Sequence, residues 1–442
     1  MDRVLADLLA CPLTGRALDP WVARGDDGRM EYGVLRSDVA EYPVVEGIPV
    51  MFGNFEDVVA LVRAERYDDA LTRMILHDIP RGGAGRALEA FASIRSTRAI
   101  ASRLLRLDDE RRRRDARRAL DDTIPGALVR FEYLDSAGRG VDAYDYFSLR
   151  AATPRYLVAL SCIDAVPDGT DAVLDVGCGA GLVTWALRQR MGARPVIGVD
   201  SSFVMAFTAS RDTSDGGRFV CGDATALPFA DGAFGAALAT DVLTFIDRRR
   251  TAVAELDRVL GPRGWCAVAS LHNAGAAHPY TYRPVSMAAW RRLFAHAPHR
   301  VVSDDDVLDR YRQGLGLPAG RGNEADEGNK ASRLTVVMAR DERALVDHGP
   351  FADWPHARGC LQMNPLYEQT GRTYDGVAYR RRLPSAVFRE DNEPMDEYLP
   401  EEVVVSDAAV HALRDGDRTP EVNELLASLV VIGGPGEPWL RR

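Results

Sequence analysis

The stretch Ala172-Val173-Leu174-Asp175-Val176-Gly177-Cys178-Gly179-Ala180-Gly181-Leu182 decides how this chain is read. An apolar run of strand character passes directly into three glycines at alternate positions, then into the helical pattern of Val183–Arg190. Glycine at such a turn lets a ligand approach the backbone closely, and the start of the following helix offers unpaired N–H groups. The spacing is G-x-G-x-G. A dinucleotide site that cradles a pyrophosphate requires G-x-G-x-x-G, which weighs against a nicotinamide oxidoreductase.

Features at fixed distances from the loop strengthen the reading. Asp200 ends a second apolar run, Val196-Ile197-Gly198-Val199-Asp200. It stands about twenty residues past the last glycine, where an acid can accept both hydroxyls of a ribose. Cys221-Gly222-Asp223-Ala224-Thr225 closes a third run; there Asp223 can accept from an adenine amino group and the Ala224 N–H can donate to the ring. Leu227–Phe234 leads into a fourth run that ends at Thr240-Asp241. Apolar segments at 172–176, 196–200, 217–221, 234–240, 264–271, 299–303 and 333–340 alternate with helical stretches. Seven strands interleaved in this way indicate an open, doubly wound, Rossmann-like α/β sheet.

The rest of the chain surrounds that unit. Residues 1–53 read as a small β-rich unit whose late run, 42–51, alternates apolar residues around a Gly-Ile-Pro turn. Residues 54–149 are helical in pattern, with a break at Arg81–Gly85. Six arginines fall within Arg111–Arg118, but Asp108, Asp109, Glu110 and Asp115 are interleaved, so a solvated, ion-paired helix face is favoured over a polyanion contact. The Gly/Pro/polar stretch 314–332 reads as a mobile loop. Residues 342–442 form an α+β extension with a helix near 420–431, in which Tyr367 lines either a substrate cavity or an interface.

Composition bounds the function. With 442 residues, a net charge of −10 and 46% hydrophobic residues, the chain can bury a large core and is not drawn to polyanions, which disfavours a nucleic-acid substrate. The six cysteines, Cys11, Cys162, Cys178, Cys221, Cys266 and Cys360, form neither a disulfide framework nor a zinc-ligand set. No apolar run approaches membrane-spanning length and no signal-peptide pattern opens the chain, so a cytoplasmic protein without metal or membrane partner is expected. A homodimer is left open.

Residues 150–340 resemble class I S-adenosylmethionine-dependent methyltransferases of the type 11 group. The resemblance is carried by VLDVGCGAG (173–181), VIGVD (196–200), CGDATALPFADGAFG (221–235) and AELDRVLGPRGWCAVAS (254–270). It implies that Asp175, Gly177, Gly179 and Gly181 cradle the amino-acid part of the cofactor. Asp200 and Ser201 would then hold the ribose, Asp223 and Ala224 the adenine, and Thr240 would stand at the strand end beside them. A segment such as 144–150 folds over the cofactor in relatives, which would set Tyr146 against the sulfonium and Arg150 on the methionine carboxylate. The same segment could instead staple the helices to the sheet.

Related sequences carry a histidine after the fourth strand, which this chain lacks. Asp241 is the nearest ionisable candidate for a base, or else it caps a helix or faces the cofactor. The segment after the fifth strand adds His272, His278, Tyr280 and Tyr282 as acceptor-side candidates. The leading reading is methyl transfer to a small molecule of secondary metabolism. The alternatives are consumption of S-adenosylmethionine itself, by cyclisation or aminocarboxypropyl transfer with release of 5′-methylthioadenosine, and an inactive cofactor-binding partner subunit. Residues 1–53 resemble a degenerate Trm112-like ribbon domain through LLACPLTGRAL (8–18) and EYPVVEGIPVM (41–51), without the cysteines that would complete a zinc site around Cys11.

Overall fold

The computed structural model of the chain describes residues 1–26, 28–78, 87–88, 90–92, 98–121, 149–213, 216–276, 284–320 and 330–436. A short helix, Arg3–Leu8, is followed by a four-stranded antiparallel sheet of β1 (Asp19–Asp26), β2 (Arg29–Arg36), β3 (Glu41–Val45) and β4 (Ile48–Pro49). The tight turn lies one residue earlier than the Gly-Ile-Pro expected. Val45 pairs with Ile48, so Glu46 and Gly47 make the two-residue loop, with φ of 52° and 75°. Two left-handed residues match the twist of a two-residue hairpin, and Ile48-Pro49 already belongs to the returning strand.

Seven further strands form one sheet: β5 (Val173–Val176), β6 (Val196–Asp200), β7 (Arg218–Cys221), β8 (Phe234–Thr240), β9 (Leu260–His272), β10 (His299–Ser303) and β11 (Arg333–Ala339). Their order is β10-β11-β9-β8-β5-β6-β7; β11 is antiparallel to both its neighbours and the others run parallel. All seven segments anticipated by apolar patterning are present, although β9 begins at Leu260 rather than 264. The chain leaves β5 outward through β6 and β7, then returns to place β8 on the other side. The crevice at the carboxyl ends of β5 and β8 is thus the topological switch point, where open α/β sheets bind ligands.

The amino-terminal sheet docks on the edge strand β7. Val50 bridges Cys221 in parallel, the Met51 N–H donates to the Cys221 carbonyl at 2.7 Å, and Arg218 pairs with Asp2 at 2.8 Å. Covering this edge removes a row of backbone groups that would otherwise invite foreign strands. Tyr32, Val45, Val58, Val62 and Met74 then share one core with Phe203, Phe207 and Phe219, so the amino-terminal sheet, the helices and the large sheet pack together there. Within the amino-terminal unit, Tyr42 Oη lies 3.4 Å from the Cys11 thiol. Burial works to raise that thiol, but hydrogen bonding with Thr14, Tyr42 and Ser37 outweighs it and brings the group down to about 7.

Helices Glu56–Arg63, Tyr67–Asp78 and Arg98–Asp121 follow. Arg111 pairs with Asp115 at 3.6 Å and Arg117 with Asp69 at 3.3 Å, as an ion-paired helix face requires. The break at 81–85 lies outside the described residues.

At the carboxyl end, β12 (Cys360–Met363) pairs with β16 (Val431–Gly434), and β13 (Tyr367–Thr373), β14 (Gly376–Arg381) and β15 (Glu402–Val405) form a three-stranded sheet. The helix near 420–431 spans Pro420–Ala427. Tyr367 packs with Val405 and Val422, and its hydroxyl donates to the Pro400 carbonyl at 2.6 Å, so it serves the core of this module. Leu366, Phe388, Met395 and Leu399 instead join the main core.

Polar contacts fasten the same seam. Asp164, on the helix Pro154–Asp164, receives Arg358 and has His356 Nε2 at 2.8 Å, while Tyr311 Oη and His356 Nδ1 are 2.9 Å apart. Residues 314–320, expected in a mobile loop, are pinned to the extension. The Gly316 N–H donates to the Gly349 carbonyl at 2.9 Å and the Gly320 N–H to Asp347 Oδ1 at 2.8 Å. Residues 321–329 lie outside the described ones. All six cysteines are free thiols, and among the described residues no helix is long and apolar enough to cross a membrane.

Candidate active site

Gly177, Gly179 and Gly181 have φ of 70°, 51° and 86°, a left-handed backbone that side-chain-bearing residues adopt only with strain. A Cβ on Gly177 would stand 2.4 Å from Val242 Cγ2, so the loop lies directly against the turn after β8. The loop is also tied to β6. The Gly177 and Cys178 N–H groups donate to the Val199 carbonyl at 2.8 and 3.1 Å, and the Gly179 N–H donates to Asp200 Oδ2 at 2.8 Å.

Asp200 Oδ1 accepts the Ser202 N–H at 2.9 Å, so each carboxylate oxygen holds one backbone donor and retains a second acceptor position. Burial raises this carboxyl, with the backbone N–H groups of Ser202, Gly179 and Ser201 working against it. Ser201 is exposed beside it. Asp78, which patterning did not single out, completes this corner. Its Oδ2 accepts from Ser202 Oγ at 3.0 Å and from the Val204 N–H at 2.7 Å, so a residue of the amino-terminal helices caps the helix Phe203–Thr208 next to Asp200. Asp223 is exposed in the loop after β7, with Oδ1 accepting the Thr225 N–H at 2.7 Å, and Ala224 is half-buried beside it. That turn holds the loop open at the carboxyl edge.

Asp175 sits differently from its expected position at the ligand's amino-acid end. Its side chain is 1% exposed and accepts the Thr184 hydroxyl at 2.5 Å, which ties β5 to the helix Leu182–Met191 beneath the glycine loop. Burial pushes the carboxyl up to about 7 against the Thr184 hydrogen bond. A carboxyl raised by folding stabilises the fold fully below its unfolded value of 3.8, and that contribution is lost as pH rises through the folded value. Asp175→Asn, which does not titrate, should therefore gain stability relative to the parent as pH rises from about 4 to about 7. Urea midpoints of the two proteins that stay parallel across that range would contradict this placement. Cys178 is buried and its thiol is raised well above the usual range by burial, in keeping with a packing residue.

At the end of β8, the Thr240 hydroxyl is buried with no hydrogen-bond partner among the described residues. Asp241 follows with φ of 59°. Its Oδ2 lies 3.1 Å from Arg150 Nη1 and 3.6 Å from Arg155 Nη1. Asp241 is thus the anion of a buried ion-pair cluster at the end of β8. Arg150, expected on a ligand carboxylate, is 9% exposed and shares this cluster.

His272 also departs from expectation. It is the last residue of β9, 1% exposed, with its N–H donating to Thr244 Oγ1 at 3.0 Å and its carbonyl accepting from Trp290 Nε1 at 3.2 Å. Those backbone bonds fix it at the sheet end, with its ring edge-on to Phe245. Tyr146, His278, Tyr280 and Tyr282 lie outside the described residues. Arg155, Arg333, Asp391 and Asn392 were not anticipated. The one signal available was Arg155 itself, a charge directly before the apolar run 156–160 of the helix Pro154–Asp164.

Residues 174–268 match the family model described as a methyltransferase domain. A demethylmenaquinone methyltransferase of Renibacterium salmoninarum is 34% identical over 197 residues, 45% of this chain and 68% of the relative. The chain belongs to the methyltransferase family. The O-methyltransferase rstn1 of Aspergillus nomiae is 31% identical to this chain over 140 residues, 30% of this chain and 59% of the relative. Overall, the chain spans about half the length of the curated relatives it matches. Among solved structures, a SAM-dependent methyltransferase of Thermotoga maritima aligns over 45% of this chain and 93% of its own, at 20% identity and a TM-score of 0.33.

Proposed function

We propose that this methyltransferase binds S-adenosylmethionine across the carboxyl ends of β5, β6 and β8 and methylates a small molecule, within secondary metabolism. The observation that carries the reading is the Gly179–Asp200 hydrogen bond at 2.8 Å, which joins the glycine loop to an acid with acceptor capacity to spare at the switch point. The residues present suit the cofactor. Asp200 has acceptors for a diol, Asp223 has an acceptor for an exocyclic amine, and the buried Thr240 hydroxyl is a polar group in want of a partner.

Bound there, S-adenosylmethionine supplies an electrophilic methyl group for in-line displacement. The protein's part in such a reaction is orientation and exclusion of water. Asp200 fixes the ribose, the loop Gly177–Gly181 sets how deeply the ligand enters, and Arg150 with Asp241 sets charge at the amino-acid end. The ribbon of residues 1–53 is a Trm112-like domain in this reading, with Thr14 and Ser37 hydroxyls around Cys11 where a metal-binding ribbon has further ligands. Its role is to cover the edge of β7. The divisions at 53/54, 149/150 and 341/342 belong to the same proposal.

Incubating the purified chain with S-adenosylmethionine alone and following products by mass spectrometry tests the reading. Bound but unconsumed cofactor is the expected result, with S-adenosylhomocysteine forming only once a small-molecule acceptor is added. Accumulation of 5′-methylthioadenosine with a four-carbon amino-acid product would replace methyl transfer by chemistry on the cofactor itself. Binding with no turnover on any acceptor would point to a partner subunit.

A further inference from the structure

Five buried or nearly buried side chains of alternating sign run from the site to the carboxyl-terminal extension: Arg150, Asp241, Arg155, Asp391 and Arg333. Asp241 Oδ2 holds Arg150 Nη1 at 3.1 Å and Arg155 Nη1 at 3.6 Å. Arg155 Nη2 then donates to Asp391 Oδ2 and, at 3.3 Å, to Asn392 Oδ1, while Arg333 Nη2 donates to Asp391 Oδ1 at 2.6 Å. Arg155 is 4% exposed and Asp391 5%. A chain of this kind is weak as a source of stability, because desolvating each charge offsets most of the attraction, and apolar residues of similar volume often serve as well. What it does supply is position, since the planar Arg155 guanidinium must face Asp241 and Asp391 at once.

We infer that Asp391, assisted by Asn392, is a positioning residue of the cofactor site: it holds Arg155, so that Arg155 and Arg150 together fix Asp241 at the end of β8. The inference rests on the cofactor placement proposed above. Asp241 is followed by Val242, which touches the glycine loop at Gly177, so the chain ends on the β5/β8 side of the crevice. Asp200 and Asp223 lie on the β6/β7 side, at the adenosine. The extension therefore acts on the amino-acid half of the cofactor and not on the nucleoside half.

The full-length Asp391→Asn variant keeps the side-chain shape and removes the charge. Calorimetric titration with S-adenosylmethionine, S-adenosylhomocysteine and 5′-methylthioadenosine separates the two halves, because the last lacks the amino-acid arm. The expected result is about a tenfold loss of affinity for the first two and no change for the third. A merely structural role would weaken all three in parallel, and that outcome overturns the inference, as does a folded variant that binds the first two within twofold of the parent.

Should Asp391→Asn fail to fold, Asp391→Glu keeps the charge and displaces it by one methylene. It should give the same split at about threefold, and equal losses for the three ligands overturn the inference. A parent chain that binds none of the three overturns the proposed function and this inference together. A parent that binds them, with no split in either variant, overturns only the latter.

Discussion

Asp200→Ala raises the dissociation constant for S-adenosylmethionine by at least about 100-fold, as read by calorimetry. Two bonds from ribose hydroxyls to a carboxylate are worth roughly 1.5–3 kcal/mol each, and every 1.4 kcal/mol is about tenfold in affinity. A second contribution comes from the protein itself. The same carboxylate accepts the Gly179 and Ser202 N–H groups, so its removal leaves both donors unpaired and loosens the glycine loop. Asp200→Asn separates the contributions, since the amide keeps one acceptor oxygen for a backbone donor and loses the charge. It should lie between parent and alanine variant. Affinity within a few-fold of the parent in the alanine variant would mean that the cofactor binds elsewhere.

Gly177→Ala destabilises the chain by roughly 2–5 kcal/mol in equilibrium urea unfolding, from about 1–2 kcal/mol for a left-handed alanine and about 1–3 kcal/mol for overpacking. The added carbon would meet Val242 at 2.4 Å on Cγ2 and 2.7 Å on Cβ, at a position whose φ is 70°. Adding Val242→Ala removes the Cγ contacts but leaves the backbone strain, so the double variant should recover part of the loss and no more. Full recovery would show that the left-handed backbone is dispensable. A single variant within about 0.5 kcal/mol of the parent, the range of an ordinary surface change, would show that the turn after β8 yields easily. Since Asp241 adjoins Val242, the single variant should also disturb the ion-pair chain and weaken cofactor binding.

Much of the fold was legible in order along the chain. The seven apolar segments, the glycine run and Asp200 rest on local rules: continuous apolar runs of strand length, turn chemistry and the short spacing from one strand end to the next. Where local rules were applied one residue out of register, as at the Glu46-Gly47 turn, the error was small, because a two-residue loop admits two left-handed positions and Glu does not advertise one. The positions of Asp200 at the end of β6 and of Asp223 two residues past β7 were legible in the same way. The surroundings of Asp241 and His272 were not. Asp241 reads as the nearest ionisable candidate in a chain that lacks the usual histidine, and only the packing of the turn Arg150–Ala152 and the helix Pro154–Asp164 brings two guanidinium groups onto it. His272 reads as the start of a polar loop, and only the length of β9 and the Trp290 hydrogen bond show it to be interior.

By itself, then, the sequence determined the doubly wound sheet, the glycine loop at its switch point and the acids at the neighbouring strand ends, because each depends on residues close together in the chain. Tertiary structure alone decided which charges meet. Arg155 and Asp391 are 236 residues apart and Arg150 and Asp241 are 91 apart. In a chain with 55 basic and 65 acidic residues, composition and spacing leave every such pairing open. The choice is made by burial: once the extension and the amino-terminal helices close over the sheet, a charge taken out of water persists only where its counter-charge has been brought alongside.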